Sequence, residues 1–271
     1  MNLDRYFARI GFAGKARADE ATLRALHGLH VQAIPFENLD VLLGRRIDIA
    51  GSAVAKKLID DRRGGYCFEH NTLFQTVLAA IGFHVEPFLA RVRFNVPREV
   101  RTGLTHMILR VTIGGRPWLA DVGFGGVGGS APLLLDTEEE QATPHEPRRL
   151  LRRGSLHVHQ ALLGGEWKDA YEFVLEAPAP VDFELGNWYS CTHPQAHFIN
   201  NLVVAKLDGP ERLIITNREF TVRQIDGSAE RHEIASPEEL LVLLTSRFGM
   251  TFPKGTVFSA PGLSWPQRPV E

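Results

Sequence analysis

His106-Met-Ile-Leu-Arg-Val-Thr-Ile113, Gly114-Gly115, Arg116-Pro-Trp-Leu-Ala-Asp-Val122 is the stretch that decides the fold. Its two-residue alternation around a Gly-Gly pair predicts two antiparallel strands joined by a two-residue turn. Upstream the period is helical. Asp19-Glu20 precedes Leu23, Leu26 and Leu29, and Pro35 in Ile34-Pro-Phe-Glu-Asn-Leu39 breaks that helix, because the residue before proline disfavours the helical region. Gly64-Gly65 then gives a turn, after which Phe74, Val77, Leu78 and Ile81 recur on one face until Gly82. Downstream, Leu156–Leu162 with Gly164-Gly165 and Trp167 predicts a second hairpin, and Leu202–Ala205, Leu213–Thr216 and Phe220–Arg223 predict further strands. Ser236-Pro237-Glu238-Glu239 starts a last helix with buried Leu240, Leu243 and Leu244 and a stop at Gly249. Residues 136–154, with Glu138-Glu-Glu140, Arg148-Arg149 and Arg152-Arg153, read as a solvated surface connection. Helices followed by strands, then strands with one helix, make the class α+β.

Composition narrows the function. Of 271 residues 44% are hydrophobic and 23% charged, which excludes wholesale disorder and collagen-like or coiled-coil architecture. Thirty basic against 32 acidic side chains give a net charge of −2, so there is no global electrostatic footprint for nucleic acid or an anionic membrane. The first residues, Met1-Asn-Leu-Asp-Arg, carry charge where a signal peptide needs an apolar stretch, and no run reaches the roughly 20 apolar residues of a membrane span. Cys67 and Cys191 make no disulfide framework. A cytoplasmic protein is the expectation.

Chemistry concentrates in Arg63-Gly-Gly-Tyr-Cys-Phe-Glu69. A cysteine in the first turn of a helix meets unpaired N–H groups and the positive end of the macrodipole, which favour the nucleophilic thiolate. A buried structural cysteine is the competing reading. The hairpin supplies the partners of a nucleophile. With Ile113 opposite Arg116, Ile108 falls opposite Asp121, so His106 and Asp121 share a face as diagonal neighbours. An aspartate that accepts from one imidazole nitrogen leaves the other for the thiol proton. Cys67 and His70, i and i+3 on one helix, are alternative zinc ligands, but no Cys-x-x-Cys accompanies them. His157 and His159 share a strand face and could bind a metal, with two exposed strand histidines as the safer reading. Gly123-Phe-Gly-Gly-Val-Gly-Gly129 lacks the lysine of a P-loop; its glycines suit close approach by a ligand or another backbone.

Taken together, Arg9-Ile-Gly, Ile34–Leu39, Arg63–Glu69, Thr102-Gly-Leu-Thr-His106, Asp121-Val-Gly-Phe124, Asn187-Trp-Tyr and His197-Phe resemble the arylamine N-acetyltransferase family, in order over roughly the first 205 residues. The resemblance implies an N-terminal helical bundle (1–84) carrying Cys67, a central β-barrel (85–190) carrying His106 and Asp121, and a C-terminal α/β lid (191–271). It implies acetyl transfer from acetyl-CoA to arylamines, hydrazines or N-hydroxyarylamines by a ping-pong route, with Cys67 as nucleophile, His106 managing the proton and Asp121 orienting His106. Thr102 and Gly103 match an acyl-CoA contact segment. Val92 and Phe124 match acceptor-pocket positions, and Phe36 closes another side. Arg9, Glu37 and Arg63 resemble a charged cluster that supports the nucleophile's loop. Acetyl-CoA and the amine enter as substrates, with no permanently bound cofactor or metal and no nucleic-acid or membrane partner. The rival readings are a papain- or transglutaminase-like hydrolase, an amide synthase using a carrier-bound thioester, and a non-enzymatic thiol sensor.

Overall fold

The computed structural model describes residues 1–97 and 99–266. Helices α1 (Leu3–Ile10) and α2 (Glu20–Ala33) open the chain, followed by the short strand β1 (Phe36–Glu37), α3 (Leu39–Leu42), and α4 (Gly51–Ala55), which continues as a π-helical turn. Asp19 caps α2 by accepting from Thr22 N–H at 2.8 Å, and α2 stops at Ile34, just before Pro35. Helix α5 (Cys67–Ile81) ends at Gly82, whose φ of 105° is the left-handed conformation a helix stop requires. Its Leu73, Phe74, Val77 and Leu78 are completely buried, each contributing on the order of 1.5–3 kcal/mol.

Seven antiparallel strands then wrap round: β2 (His84–Val92), β3 (His106–Ile113), β4 (Arg116–Ala120), β5 (Leu133–Leu134), β6 (Arg148–Arg153), β7 (Leu156–Leu163) and β8 (Glu166–Val174), in the order β5-β4-β3-β2-β8-β7-β6. The two edges are bridged by Gln141. Its backbone pairs with Arg148 in both directions (2.7 and 3.0 Å), while its side-chain amide accepts from Leu134 N–H (2.7 Å) and donates to Leu134 O (2.9 Å). One residue thus nearly closes the barrel. Strand β3 is covered on both sides: Met107, Leu109 and Val111 pack with α5, whereas Ile108 joins Phe88, Leu119, Tyr171 and Phe173 in the barrel interior.

Helices α6 (Pro180–Thr192) and α7 (His197–Asn200) lead to strands β9 (Val203–Asp208), β10 (Glu211–Thr216), β11 (Glu219–Arg223) and β12 (Ala229–Glu233), and α8 (Pro237–Ser246) packs against this second sheet. Its first strand is β1, from the helical region, paired with β9. Asn38 completes the seam, donating to Phe198 O and Asn201 O and accepting from Val203 N–H, each at 2.8 Å. The expected boundary at 190/191 falls inside α6. No helix among the described residues is long and apolar enough to cross a membrane.

Residues 136–154 depart from expectation. Arg148–Arg153 is strand β6, and Arg148 is fully buried rather than solvated. His157 and His159 are likewise buried: His157 stacks on Phe173, and His159 packs edge-on to Tyr171.

Beneath α5 runs a buried polar chain. His70 Nε2 meets Pro35 O (3.0 Å), which can only accept, so His70 Nε2 donates there and neutral His70 Nδ1 accepts from His30 Nε2 (2.9 Å). His30 Nδ1 then accepts from Tyr6 O–H at 2.9 Å. Burial holds His70 and nearby His27 down to about 4, and His30 well below its ordinary value. These imidazoles stay neutral in the fold and become protonated in the unfolded chain, so their contribution is complete above about pH 6.5 and declines as pH falls toward 4. Urea denaturation at pH 7.5 and pH 5 is expected to show a loss on the order of 1–2 kcal/mol per histidine at the lower pH; an unchanged midpoint contradicts this.

Candidate active site

Cys67 is placed by what surrounds its turn. A Cβ on Gly64 would sit 2.1 Å from Pro35 O, so only glycine lets Arg63–Tyr66 lie against Pro35–Glu37. Gly65 N–H donates to Pro35 O (3.3 Å) and Glu37 N–H to Gly65 O (2.7 Å). Behind the turn is a ring of charges. Arg63 binds Glu37 at 2.7 Å and Asp40 at 3.3 Å; Lys57 binds Glu69 at 2.7 Å and Asp40 at 2.9 Å. Burial alone would raise Asp40, but Lys57 and Arg63 outweigh it and hold the carboxyl below the usual carboxylate range. Glu69 Oε2 reaches back to Tyr66 N–H (3.0 Å), fixing the first turn of α5. Arg9, expected in this ring, lies elsewhere: it donates to Ala33 O (2.7 Å) at the end of α2 and to Leu58 O (2.9 Å) in the π-helical turn. Lys57, Asp40 and Glu69 take its place.

The hairpin carries the other two side chains in the register that the Gly-Gly turn predicts, with Ile113 opposite Arg116 and Leu109 opposite Ala120. The ladder ends there, one pair short of Asp121. His106 Nε2 and Asp121 Oδ2 are 2.8 Å apart, both buried. Cys67 Sγ points to Thr105 O at 3.5 Å, beside His106. Burial would lower His106, but the Asp121 charge and hydrogen bond, with a smaller contribution from Cys67, raise it to about 10. Burial would raise Asp121 too. The His106 charge and hydrogen bonds from His106, Asn71 and Gly123 N–H hold it far below the ordinary range instead.

Asn71 was not singled out from the sequence, although its place four residues after Cys67 puts it on the same helix face. It donates to Asp121 Oδ1 (2.9 Å) and Met107 O (2.7 Å) and accepts from Val122 N–H (3.2 Å), joining α5 to both hairpin strands. Gly123 completes the junction, since a Cβ there would lie 2.7 Å from Cys67 Cα. Tyr171, also unforeseen, stands opposite Val92 across β2–β8 and packs against His106 at 4.9 Å between ring centroids. Phe124 packs edge-on to the same imidazole at 4.9 Å.

Phe36 and Phe124 line one narrow cleft with Val122, Gly125, Lys206 and Arg212. Cys67, His106, Val92, Thr102 and Gly103 do not line it. Val92 O instead accepts from Thr102 Oγ1 (2.9 Å), which ties the loop before His106 to the end of β2, and Gly103 lies exposed on that loop. The Cys67/His70 pairing is excluded as a zinc site in this arrangement, because both His70 nitrogens are engaged by His30 and Pro35. Among the described residues no group of three or more His, Cys, Asp or Glu side chains is arranged to hold a metal ion.

A family model described as N-acetyltransferase matches residues 19–257. The arylamine N-acetyltransferase of Mycolicibacterium smegmatis is 39% identical over 257 residues, covering 92% of each chain. The chain belongs to the arylamine N-acetyltransferase family. That membership makes it an acyltransferase. A Salmonella typhimurium family member, arylamine N-acetyltransferase / N-hydroxyarylamine O-acetyltransferase, is 39% identical, covering 92% of this chain and 88% of its own. The structure of the Mycobacterium marinum arylamine N-acetyltransferase in complex with CoA superposes with a TM-score of 0.89 at 38% identity, covering 92% and 93% of the two chains.

Asn71→Asp sets a second carboxylate against Asp121 and removes two donated hydrogen bonds. We expect the melting temperature to fall by roughly 5–10 °C, read by circular dichroism; no change would contradict the anchoring role.

Proposed function

We propose that this chain transfers acetyl from acetyl-CoA to arylamines and hydrazines, and to the oxygen of N-hydroxyarylamines, through an acetyl-Cys67 thioester. The observation that carries the reading is the buried His106–Asp121 pair beside a cysteine at a helix start, in a member of this family. The CoA-bound relative supports the donor, and the Salmonella enzyme's double name supports the O-acetylation.

Cys67 thiolate attacks the thioester carbonyl, forming the new C–S bond as the bond to CoA sulfur breaks. The His106 imidazolium gives its proton to the departing CoA thiolate, and neutral His106 remains. An arylamine, uncharged near neutral pH, attacks acetyl-Cys67 through its nitrogen lone pair. Its proton goes to His106, the C–S bond breaks, and the imidazolium–thiolate pair is restored. Asp121 stays ionised throughout and orients the imidazole. Among the described residues the Cys67 main-chain N–H has no acceptor, which suits it to stabilise the oxyanion. Phe36, Val92 and Phe124 bound the acceptor, Thr102 and Gly103 meet the acyl donor, and Glu37 and Arg63 brace the nucleophile's turn.

We further assign the three parts as bundle (1–84), barrel (85–179) and, from α6 onward, a lid excluding water that would hydrolyse the acetyl-enzyme. The Asn38 seam supports a lid held close to the nucleophile's helix. Two free cysteines accord with a reducing, cytoplasmic setting.

Rapid-quench intact mass after mixing with acetyl-CoA tests the reading. One acetyl group is expected on the native chain and none on Cys67→Ala, with discharge on adding an arylamine. His106→Ala is expected to lower turnover by about 10²–10⁴-fold. Absence of both an adduct and amine-dependent CoA release would overturn the reading in favour of a carrier-bound donor or a thiol sensor.

A further inference from the structure

Two arginines far apart in sequence meet below the glycine-rich loop. Arg148, on β6, is fully buried, and Arg212, on β10, is 4% exposed. They share one carboxylate: Arg212 Nη2 lies 2.8 and 3.1 Å from the Glu146 oxygens, and Arg148 Nη2 lies 3.3 Å from Oε2. Two guanidiniums against one carboxylate leave surplus positive charge in a dry site, an arrangement that by itself costs stability. The surplus is met by loop carbonyls. Arg148 Nη2 donates to Val127 O (2.7 Å) and Gly128 O (3.1 Å), and Arg212 Nη1 donates to Gly128 O (3.0 Å).

Few other hydrogen bonds hold the loop, although Val127 is buried. Among the described residues, its only main-chain hydrogen bond over 124–129 joins Val127 N–H to Gly125 O. Among the described residues, the same two arginines make the only side-chain hydrogen bonds to that stretch. At its start Phe124 packs against both His106 and Tyr171.

We propose that Arg148 and Arg212, coupled through Glu146, are positioning residues that fix the 124–129 loop and thereby the Phe124 wall against which the acceptor's ring is seated. Naming the acceptor rests on the acetyltransferase reading above. The guanidinium fork is required because each arginine binds the carboxylate and a loop carbonyl together, which a lysine ammonium does in poorer geometry.

The test separates the two half-reactions in Arg212→Gln, Arg212→Lys and Glu146→Gln, each checked for fold by circular dichroism and melting temperature. Acceptor KM is expected to rise about ten-fold in Arg212→Gln. Acetyl-Cys67 formation and iodoacetamide alkylation of Cys67 should stay within about two-fold of the native chain. Glu146→Gln should shift acceptor KM in the same direction, and Arg212→Lys should recover only part of the loss. Equal loss in both half-reactions, or a lowered melting temperature with unchanged acceptor KM, would overturn the proposal. A second probe does not depend on the donor. The ratio of N-phenylmaleimide to iodoacetamide alkylation at Cys67 should fall several-fold in Glu146→Gln if the aromatic wall loosens; an unchanged ratio would overturn the proposal even where acetyl-CoA leaves no adduct.

Discussion

His106 and Asp121 are two ionisable groups 2.8 Å apart with almost no access to water, and most of the site's geometry follows from making that pair tolerable. Burying charge costs several kcal/mol per ion unless every remaining lone pair and proton finds a partner. Asp121 therefore also accepts from Asn71 and from Gly123 N–H, and His106 is left with one nitrogen directed away from the carboxylate. Each requirement constrains another element. The Gly123 contact needs α5 and the end of β4 at van der Waals distance, and Asn71 fixes the axial position of α5 relative to the hairpin. The cysteine four residues before Asn71 then arrives beside His106.

The charge ring around Glu37, Asp40, Lys57, Arg63 and Glu69 does a related job from the other side. It touches none of the three chemistry-bearing side chains, yet Glu69 ties the first turn of α5 and Glu37 ties the following segment through Leu39 N–H at 2.6 Å. Asn38, between Glu37 and Leu39, stitches that segment to the C-terminal sheet. A six-residue run at 34–39 thus links the nucleophile's loop, the helical region and the second sheet.

The hairpin was legible because a side-chain period of two and a two-residue turn together leave one register, and parity alone carried His106 and Asp121 to the same face. The helix start at Cys67 was legible from Gly64-Gly65 and the apolar stripe behind it. Strand β6 was not. Four arginines in six residues resemble a solvated loop because charge is normally exposed, and nothing local to Arg148 signals that Glu146, Val127, Gly128 and His159 surround its guanidinium. His157 and His159 were misjudged for the same reason: their burial depends on Phe173 and Tyr171 across the next strand. Arg9 was grouped with Glu37 and Arg63 by motif, whereas the carbonyls it serves, Ala33 and Leu58, leave no side-chain signature.

The buried carboxylate should keep His106 protonated where an ordinary imidazole is neutral. Nitrogen-15 NMR of the His106 side chain, followed from pH 5 to 11 in the native chain, tests it directly. The expected result is an imidazolium through pH 8 that loses its proton only near 10. Titration near the ordinary value of about 6.5 would contradict it.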